Sequence, residues 1–233
     1  MKMEITDIEA FKAVFKNIDS LSDNINLICT TEEMKFNLLD RTHTTFIGCT
    51  FEKAFFNEYD VTEEETYSVS ASEFNKVLKK CKGTVIIEFD ESLVIHNGSK
   101  KFKLNLLEPE YDNTPSMPTI PYKYNINVPV KFYKESLSDC LMFSGDIEIL
   151  TDEDKLVFAS DGMLGAYTNS YDCDKQLESS KAKFAIEKLQ MANAEKISDT
   201  VNIKGGGDMP VLMEITNPSG LKFTCMVAPK IGE

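Results

Sequence analysis

Displaced by 122 residues, the first helix-and-hairpin stretch of this chain falls on a second of the same character. Lys12 meets Lys134, Phe15 meets Leu137, Ile18 meets Cys140 and Leu21 meets Phe143. Ser22 then meets Ser144, Ile25 meets Ile147, Leu27 meets Ile149, Met34 meets Leu156 and Phe36 meets Phe158. Residue class is kept while identity mostly is not. An internal repeat of this size fixes architecture before any local motif is read. The chain is one supersecondary plan written twice.

Residues 7–22 carry the clearest helical pattern, with Ile8, Phe11, Val14, Phe15, Ile18 and Leu21 on one stripe and Lys12, Lys16 and Asp19 on the other. Asp7 is placed to cap its start. Period-two strands follow around Ile25–Cys29, Met34–Leu38 and Thr44–Gly48. A second helix is expected over 71–82, where Phe74, Val77, Leu78 and Cys81 share a face and Lys76, Lys79, Lys80 and Lys82 take the rest. Strands are expected near 84–90, 92–97 and 100–107, the last two joined at Asn97-Gly98.

Glu108 to Asn127 has neither period and contains Pro109, Pro115, Pro118 and Pro121, which marks an extended connector. The order then repeats. A helix is expected over 130–142, strands to Tyr171, and a weaker helix over 182–193 anchored by Phe184, Leu189 and Ala192. The offset drifts, so that Phe74 is matched to Phe184 and Phe102 to Leu221. The fold class is α+β: two topologically similar domains, each with two helices packed on antiparallel sheets. The expected divisions are 1–107, a connecting loop over 108–128, and 129–233.

The net charge of −13 argues against a broadly basic nucleic-acid surface. Arg41 is the only arginine, and bidentate base reading favours arginine, so sequence-specific DNA recognition is not expected. The six cysteines are at least 20 residues apart and read as buried small hydrophobes of a reducing compartment. His43 and His96 offer no metal spacing, and neither cofactor nor metal is expected. No signal core and no 18-residue apolar run occurs, so a cytoplasmic protein is expected, nuclear in a eukaryote.

Against this acidic background, the outward faces of the first three helices are rich in lysine. Segregation of that kind points to a polyanion. Lysines without arginine or exposed aromatics touch phosphates as point charges and ignore base identity, which also permits movement along DNA. The idea requires these ammonium groups to be neither scattered nor paired internally with carboxylates.

Specific segments then carry a resemblance. Leu39-Asp40-Arg41-Thr42-His43 resembles the L-D-x-S-H segment of sliding clamps of the proliferating cell nuclear antigen family, archaeal-like in its arginine and with threonine for serine. Phe158 to Gly165 resembles the second-half motif ending in G-x-x-G. Gly207-Asp208-Met209-Pro210 is similar to the segment before the penultimate strand, and Val227-Ala228-Pro229-Lys230-Ile231 is similar to the L-A-P-[KR]-I ending. The four occur in family order along the whole chain.

The resemblance implies a two-domain DNA clamp fold, closed head-to-tail into a homotrimeric ring around double-stranded DNA. Edge strands Lys101–Leu107 and Gly165–Tyr171 would pair between subunits. Three chains at −13 carry −39, so an acidic rim would surround a lysine-lined hole. For the hole the resemblance implies Lys12, Lys76, Lys79 and Lys134, then Lys16, Lys80 and Lys188. Asn193 stands near a position where relatives often carry lysine. A partner-peptide pocket beside the connector is implied at Leu39, Phe46, Met117, Ile120, Pro210, Met226, Ala228 and Pro229. The implied partners are DNA polymerase, a clamp loader of replication factor C type, flap endonuclease and DNA ligase; no membrane is involved.

Two other readings compete. An enzyme lacks support: there is no G-x-x-x-x-G-K-[ST] loop, Gly205-Gly206-Gly207 leads into Asp208, and Asp152-Glu153-Asp154 has no further metal ligands in pattern. Pro115, Pro118 and Pro121, spaced by three, suit a polyproline II ligand that does not encircle DNA, or a stiffened bridge between halves.

Overall fold

The computed structural model describes residues 1–109, 115–192 and 194–230. It divides into two compact units, Met1–Met117 with Thr216–Phe223, and Pro118–Ile215 with Thr224–Glu233.

The first unit opens with β1 (Lys2–Ile5) and α1 (Ile8–Phe15), followed by β2 (Asn24–Cys29), β3 (Glu33–Leu39), β4 (Thr45–Glu52), β5 (Glu58–Asp60) and β6 (Glu65–Ser70). Then come α2 (Ala71–Leu78), β7 (Val85–Phe89), β8 (Ser92–Asn97) and β9 (Lys100–Asn105). One sheet runs β5-β1-β7-β8-β9, and β4-β3-β2-β6 lie in order in another. Neighbouring strands in both runs are antiparallel.

The second unit contains β10 (Tyr124–Pro129), α3 (Val130–Cys140), β11 (Asp146–Asp152), β12 (Lys155–Gly162), β13 (Gly165–Asp172) and β14 (Ser180–Ala185). It continues through α4 (Ile186–Leu189), β15 (Thr200–Gly205), β16 (Val211–Thr216) and β17 (Leu221–Val227). Its strands order as β13-β12-β11-β14 and β10-β15-β16-β17. These orders repeat β4-β3-β2-β6 and β1-β7-β8-β9, so the plan is indeed written twice. Residues Leu221–Phe223 of β17 belong with the first unit.

The repeat holds element by element except for β5, which has no counterpart among the described residues of the second unit. α1 opens at Ile8 and α3 at Val130, and β2 opens at Asn24 and β11 at Asp146, both 122 residues apart. The second helices drift: α2 opens at Ala71 and α4 at Ile186, 115 residues on. That corrects one match. Phe184 is not the partner of Phe74; it lies on β14, where the counterpart is Val69 of β6, and Phe74 corresponds to Leu189. The expected helix over 182–193 is only Ile186–Leu189, because Ala182 and Phe184 alternate with exposed lysines along a strand.

The first helix is also shorter than its apolar stripe. Asp7 caps it, accepting from the Ala10 amide at 3.1 Å. Lys16 ends it in extended backbone, and Asn17 turns left-handed at φ 66° before a 3-10 turn over Ile18–Ser20. Ile18 and Leu21 stay buried despite the break, which is why the stripe reads as continuous.

Aromatic rings knit the first unit. Phe15 is fully buried, with its ring 5.0 Å from Phe74 on α2 and 5.2 Å from Phe36 on β3. Burial of each such side chain contributes about 1.5–3 kcal/mol. In the second unit Phe132 of α3 packs 5.5 Å from Phe158 and 5.4 Å from Tyr171. All six cysteines are free, and all but Cys173 are buried. No described helix is long and apolar enough to cross a membrane.

Candidate nucleic-acid interface

Lys12 is the fifth residue of α1 and Lys134 the fifth of α3, so each unit offers a lysine from the same step of its first helix. In the first unit the Lys12 side chain is only 21% exposed. Its Nζ donates to the Cys81 carbonyl at 3.0 Å and to Glu9 Oε1 at 2.9 Å. In the second unit Lys134 Nζ lies 2.5 Å from Glu195 Oε2. The expectation that these ammonium groups stand clear of carboxylates therefore fails for both. Both carboxylates are at least half exposed; the Lys134–Glu195 pair, exposed on both sides, is worth about 0–1 kcal/mol, so a phosphate can displace Glu195, whereas the Lys12 ammonium is more enclosed.

The other lysines of the first unit differ. Lys76 lies in the last turn of α2, Lys79 caps its C-terminus and Lys80 follows; all three are exposed, as is Lys16 at the end of α1. Among the described residues none of these four has a carboxylate within 4.0 Å. Cations at a helix C-terminus also complement the helix dipole, which gives the α2 lysines a folding role of their own. Phe11, Phe15 and Phe74 bring α1 and α2 together, so Lys12 and the α2 lysines belong to one packed pair.

In the second unit Tyr133 of α3 is buried and donates to the Leu189 carbonyl at 2.8 Å, tying α3 to α4. Burial raises the Tyr133 hydroxyl well above its usual range, so it remains a donor. Lys188 sits half-buried on α4. Asn193 lies outside the described residues. Lys131, on the first turn of α3, is 3.9 Å from Glu135.

The residues assigned to a partner peptide fall in both units. In the first, Leu39 is 36% and Met117 44% exposed, whereas Phe46 is buried and offers little surface. In the second, Ile120, Pro210, Met226, Ala228 and Pro229 are all half-buried. Tyr122 there directs its hydroxyl to Met226 Sδ at 3.7 Å. Within the connector, Pro115 is held in the first unit, where Asn37 Nδ2 donates to its carbonyl at 3.0 Å.

The motif residues are turn-builders. The Asp40 carboxylate is buried and accepts from the Thr44 and Thr45 amides at 2.7 and 2.8 Å and from Thr42 Oγ1 at 2.6 Å. It thereby closes the β3–β4 connection, where His43 takes φ 55°. Arg41 points outward and pairs with Asp23. In the second-half motif, a Cβ on Gly162 would lie 2.0 Å from the Phe143 carbonyl oxygen, so only glycine fits. Asp152 stands across from Lys155 at the β11–β12 turn formed by Glu153 and Asp154. Ile231 of the terminal motif lies outside the described residues.

A groove of about 540 Å³ in the first unit is lined by Leu21, Asn37, Leu39, Arg41 and Pro115 among others. In the sequence the groove is marked only by the lone arginine and the connector prolines.

No family model matches the chain. The DNA polymerase sliding clamp of Methanothermobacter thermautotrophicus is 31% identical over 240 residues, covering 100% of this chain and 94% of the relative. Two solved structures superpose over nearly the whole chain. The C-terminal region of FEN-1 bound to A. fulgidus PCNA gives a TM-score of 0.89 at 16% identity, covering 100% of this chain and 99% of that one. The PCNA2-PCNA3 complex from Sulfolobus tokodaii gives 0.88 at 20%, covering 99% of each chain. The structures speak to the fold, and the sequence relative speaks to descent: the chain belongs to the DNA polymerase sliding clamp family.

Proposed function

We propose that three copies of this chain close head-to-tail into a ring around duplex DNA, which serves as a polymerase processivity factor and a platform for replication and repair proteins. The observation that carries the reading is the pair Lys12 and Lys134, one lysine at the same step of the first helix of each repeat. Lys76, Lys79, Lys80, Lys16 and Lys188 extend it. Lysines so repeated offer phosphates equivalent point contacts without reading bases. Ring closure is supported by the sheet orders: β9 ends one sheet and β13 another, each with an open edge. On this reading the clamp domains are 1–107 and 129–233, with 108–128 connecting them.

The ring itself does no bond chemistry; a loader of replication factor C type would open it. Leu39 and Met117 of the first unit, and Ile120, Pro210, Met226, Ala228 and Pro229 of the second, are the proposed apolar surfaces for partner peptides; Phe46 is buried within the first unit. A FEN-1 segment bound to a structural relative supports such recruitment, and flap endonuclease, ligase and polymerase are the proposed users.

Light scattering with and without primed circular DNA tests the assembly. A three-chain mass retained on closed circles and released on linearisation is expected. A single-chain mass in every condition, with no stimulation of polymerase, would overturn the reading.

A further inference from the structure

The first unit contains an ion pair whose counterparts are split between two open sheet edges. Glu52, the last residue of β4, donates its amide to the Gly220 carbonyl at 2.9 Å, and its carboxylate pairs with Lys222 at the start of β17. Both belong to the first unit. The repeat assigns each a counterpart. Leu39 pairs with Phe46 and Glu33 with Glu52 across β3–β4, as Asp161 pairs with Ala166 and Lys155 with Asp172 across β12–β13. Asp172 therefore stands where Glu52 stands.

For Lys222, side-chain alternation along the strand allows two alignments of β9 on β17, two residues apart. One puts Lys101 in its place and the other Lys103. Both lysines are exposed, as is Asp172. Among the described residues none of the three has an opposite charge within 4.0 Å. Lys155 stands across from Asp172 on β12 without reaching that distance, and Lys101 stands across from His96, whose Nε2 is 3.2 Å from Glu88 Oε2. β9 is thus an edge rich in cations (Lys100, Lys101 and Lys103), and β13 ends in a carboxylate.

We propose that, where β9 of one copy meets β13 of the next in the proposed ring, Lys101 or Lys103, whichever alignment holds, pairs with Asp172, reproducing between chains the Glu52–Lys222 pair found within one. The inference rests on the ring reading and adds to it one ion pair across each closure. The partner is a second copy of this chain, because the repeat supplies both halves of the contact and their charges are complementary. Charge-complementary edges also disfavour pairing of β9 with β9 or of β13 with β13. Closure held in this way weakens as salt rises.

The test is sedimentation velocity of the full chain across protein concentration at low and high salt. Lys101→Glu/Lys103→Glu and Asp172→Lys should each raise the subunit dissociation constant at least tenfold at low salt. A chain carrying all three changes should regain wild-type assembly, since every edge then again meets its opposite. If the wild type assembles but the reversals leave it unchanged, or the combined chain is not rescued, the ion pair is wrong and the ring stands. A wild type that stays single at every concentration, with and without DNA, overturns both. Far-ultraviolet circular dichroism that matches the wild type would establish that the variants fold.

Discussion

The ammonium of Lys12 lies 3.0 Å from the carbonyl oxygen of Cys81, strapping α1 to the residue that closes the turn after α2. The same side chain is the foremost candidate for DNA contact, so its removal has two consequences. Lys12→Ala should cost about 1 kcal/mol of stability through the missing hydrogen bond to a partly buried carbonyl. Lys76→Ala, exposed and without a carboxylate partner among the described residues, should change stability by no more than about 0.5 kcal/mol. Both should weaken retention on closed circular DNA and reduce the salt slope of binding, by about 0.9 for each phosphate no longer neutralised. Urea midpoints set against salt titrations separate the two effects; a Lys76→Ala chain with unaltered salt dependence would remove that residue from the interface.

Asp40 makes a second prediction. Its carboxylate accepts two backbone amides and hydroxyl donors while only 8% exposed. Asp40→Ala leaves those amides without a partner and should cost about 1.5–3 kcal/mol. Asp40→Asn, which keeps one acceptor oxygen, should lie between alanine and wild type. Thermal melts of the three chains check the order. Equal melting temperatures would mean that water replaces the carboxylate.

Gly162 and Gly145 form a matched pair. A Cβ at Gly162 would sit 2.0 Å from the Phe143 carbonyl oxygen, while one at Gly145 meets nothing within 4 Å. Gly162→Ala must push backbone against backbone and should cost about 1–3 kcal/mol or more. Gly145→Ala should be neutral or slightly stabilising, because alanine narrows the unfolded ensemble. Denaturant unfolding of both variants would show the contrast, and similar midpoints would contradict it.

How much is legible in the sequence depends on the range of the interaction. The 122-residue repeat is legible because core positions keep their class, and both α1–α3 and β2–β11 fall on it. The break at Asn17 is not, since Ile18 and Leu21 bury whether or not the helix continues. Residues 182–185 read as the start of the helix because Phe184 also falls at helical spacing from the helix residues Leu189 and Ala192, while the alternation that marks a strand spans only Ser180–Phe184. The hairpin at Asn97-Gly98 is visible, but its centre falls one residue on. Asn97 pairs with Lys100, Gly98 takes φ 61°, and the Asn97 amide group instead bonds the Lys82 and Thr84 carbonyls. The pairing of Lys134 with Glu195 joins residues 61 positions apart, and no local pattern signals it.

The buried thiols give the last prediction, a limit on the alkaline side. Burial pushes Cys225 and Cys29 up to about 12, and Cys140 to about 11, from an ordinary value of 9.0. Glu65 adds to the rise at Cys29, and Asp139 to that at Cys140. In each case the folded chain holds its proton more tightly than the unfolded chain does. The stability linked to these thiols is therefore fully present below pH 9 and is lost as pH rises from about 9 through the folded values near 11 and 12. One fully buried thiol shifted by this much contributes on the order of a few kcal/mol at the end of that window. The melting temperature should be flat between about pH 7 and 8.5 and fall steeply above about pH 9.5. Cys225→Ala should flatten that fall, whereas Cys173→Ala, at the half-exposed cysteine, should flatten it least. An identical alkaline slope in wild type and Cys225→Ala would show that the thiol is not what couples folding to pH.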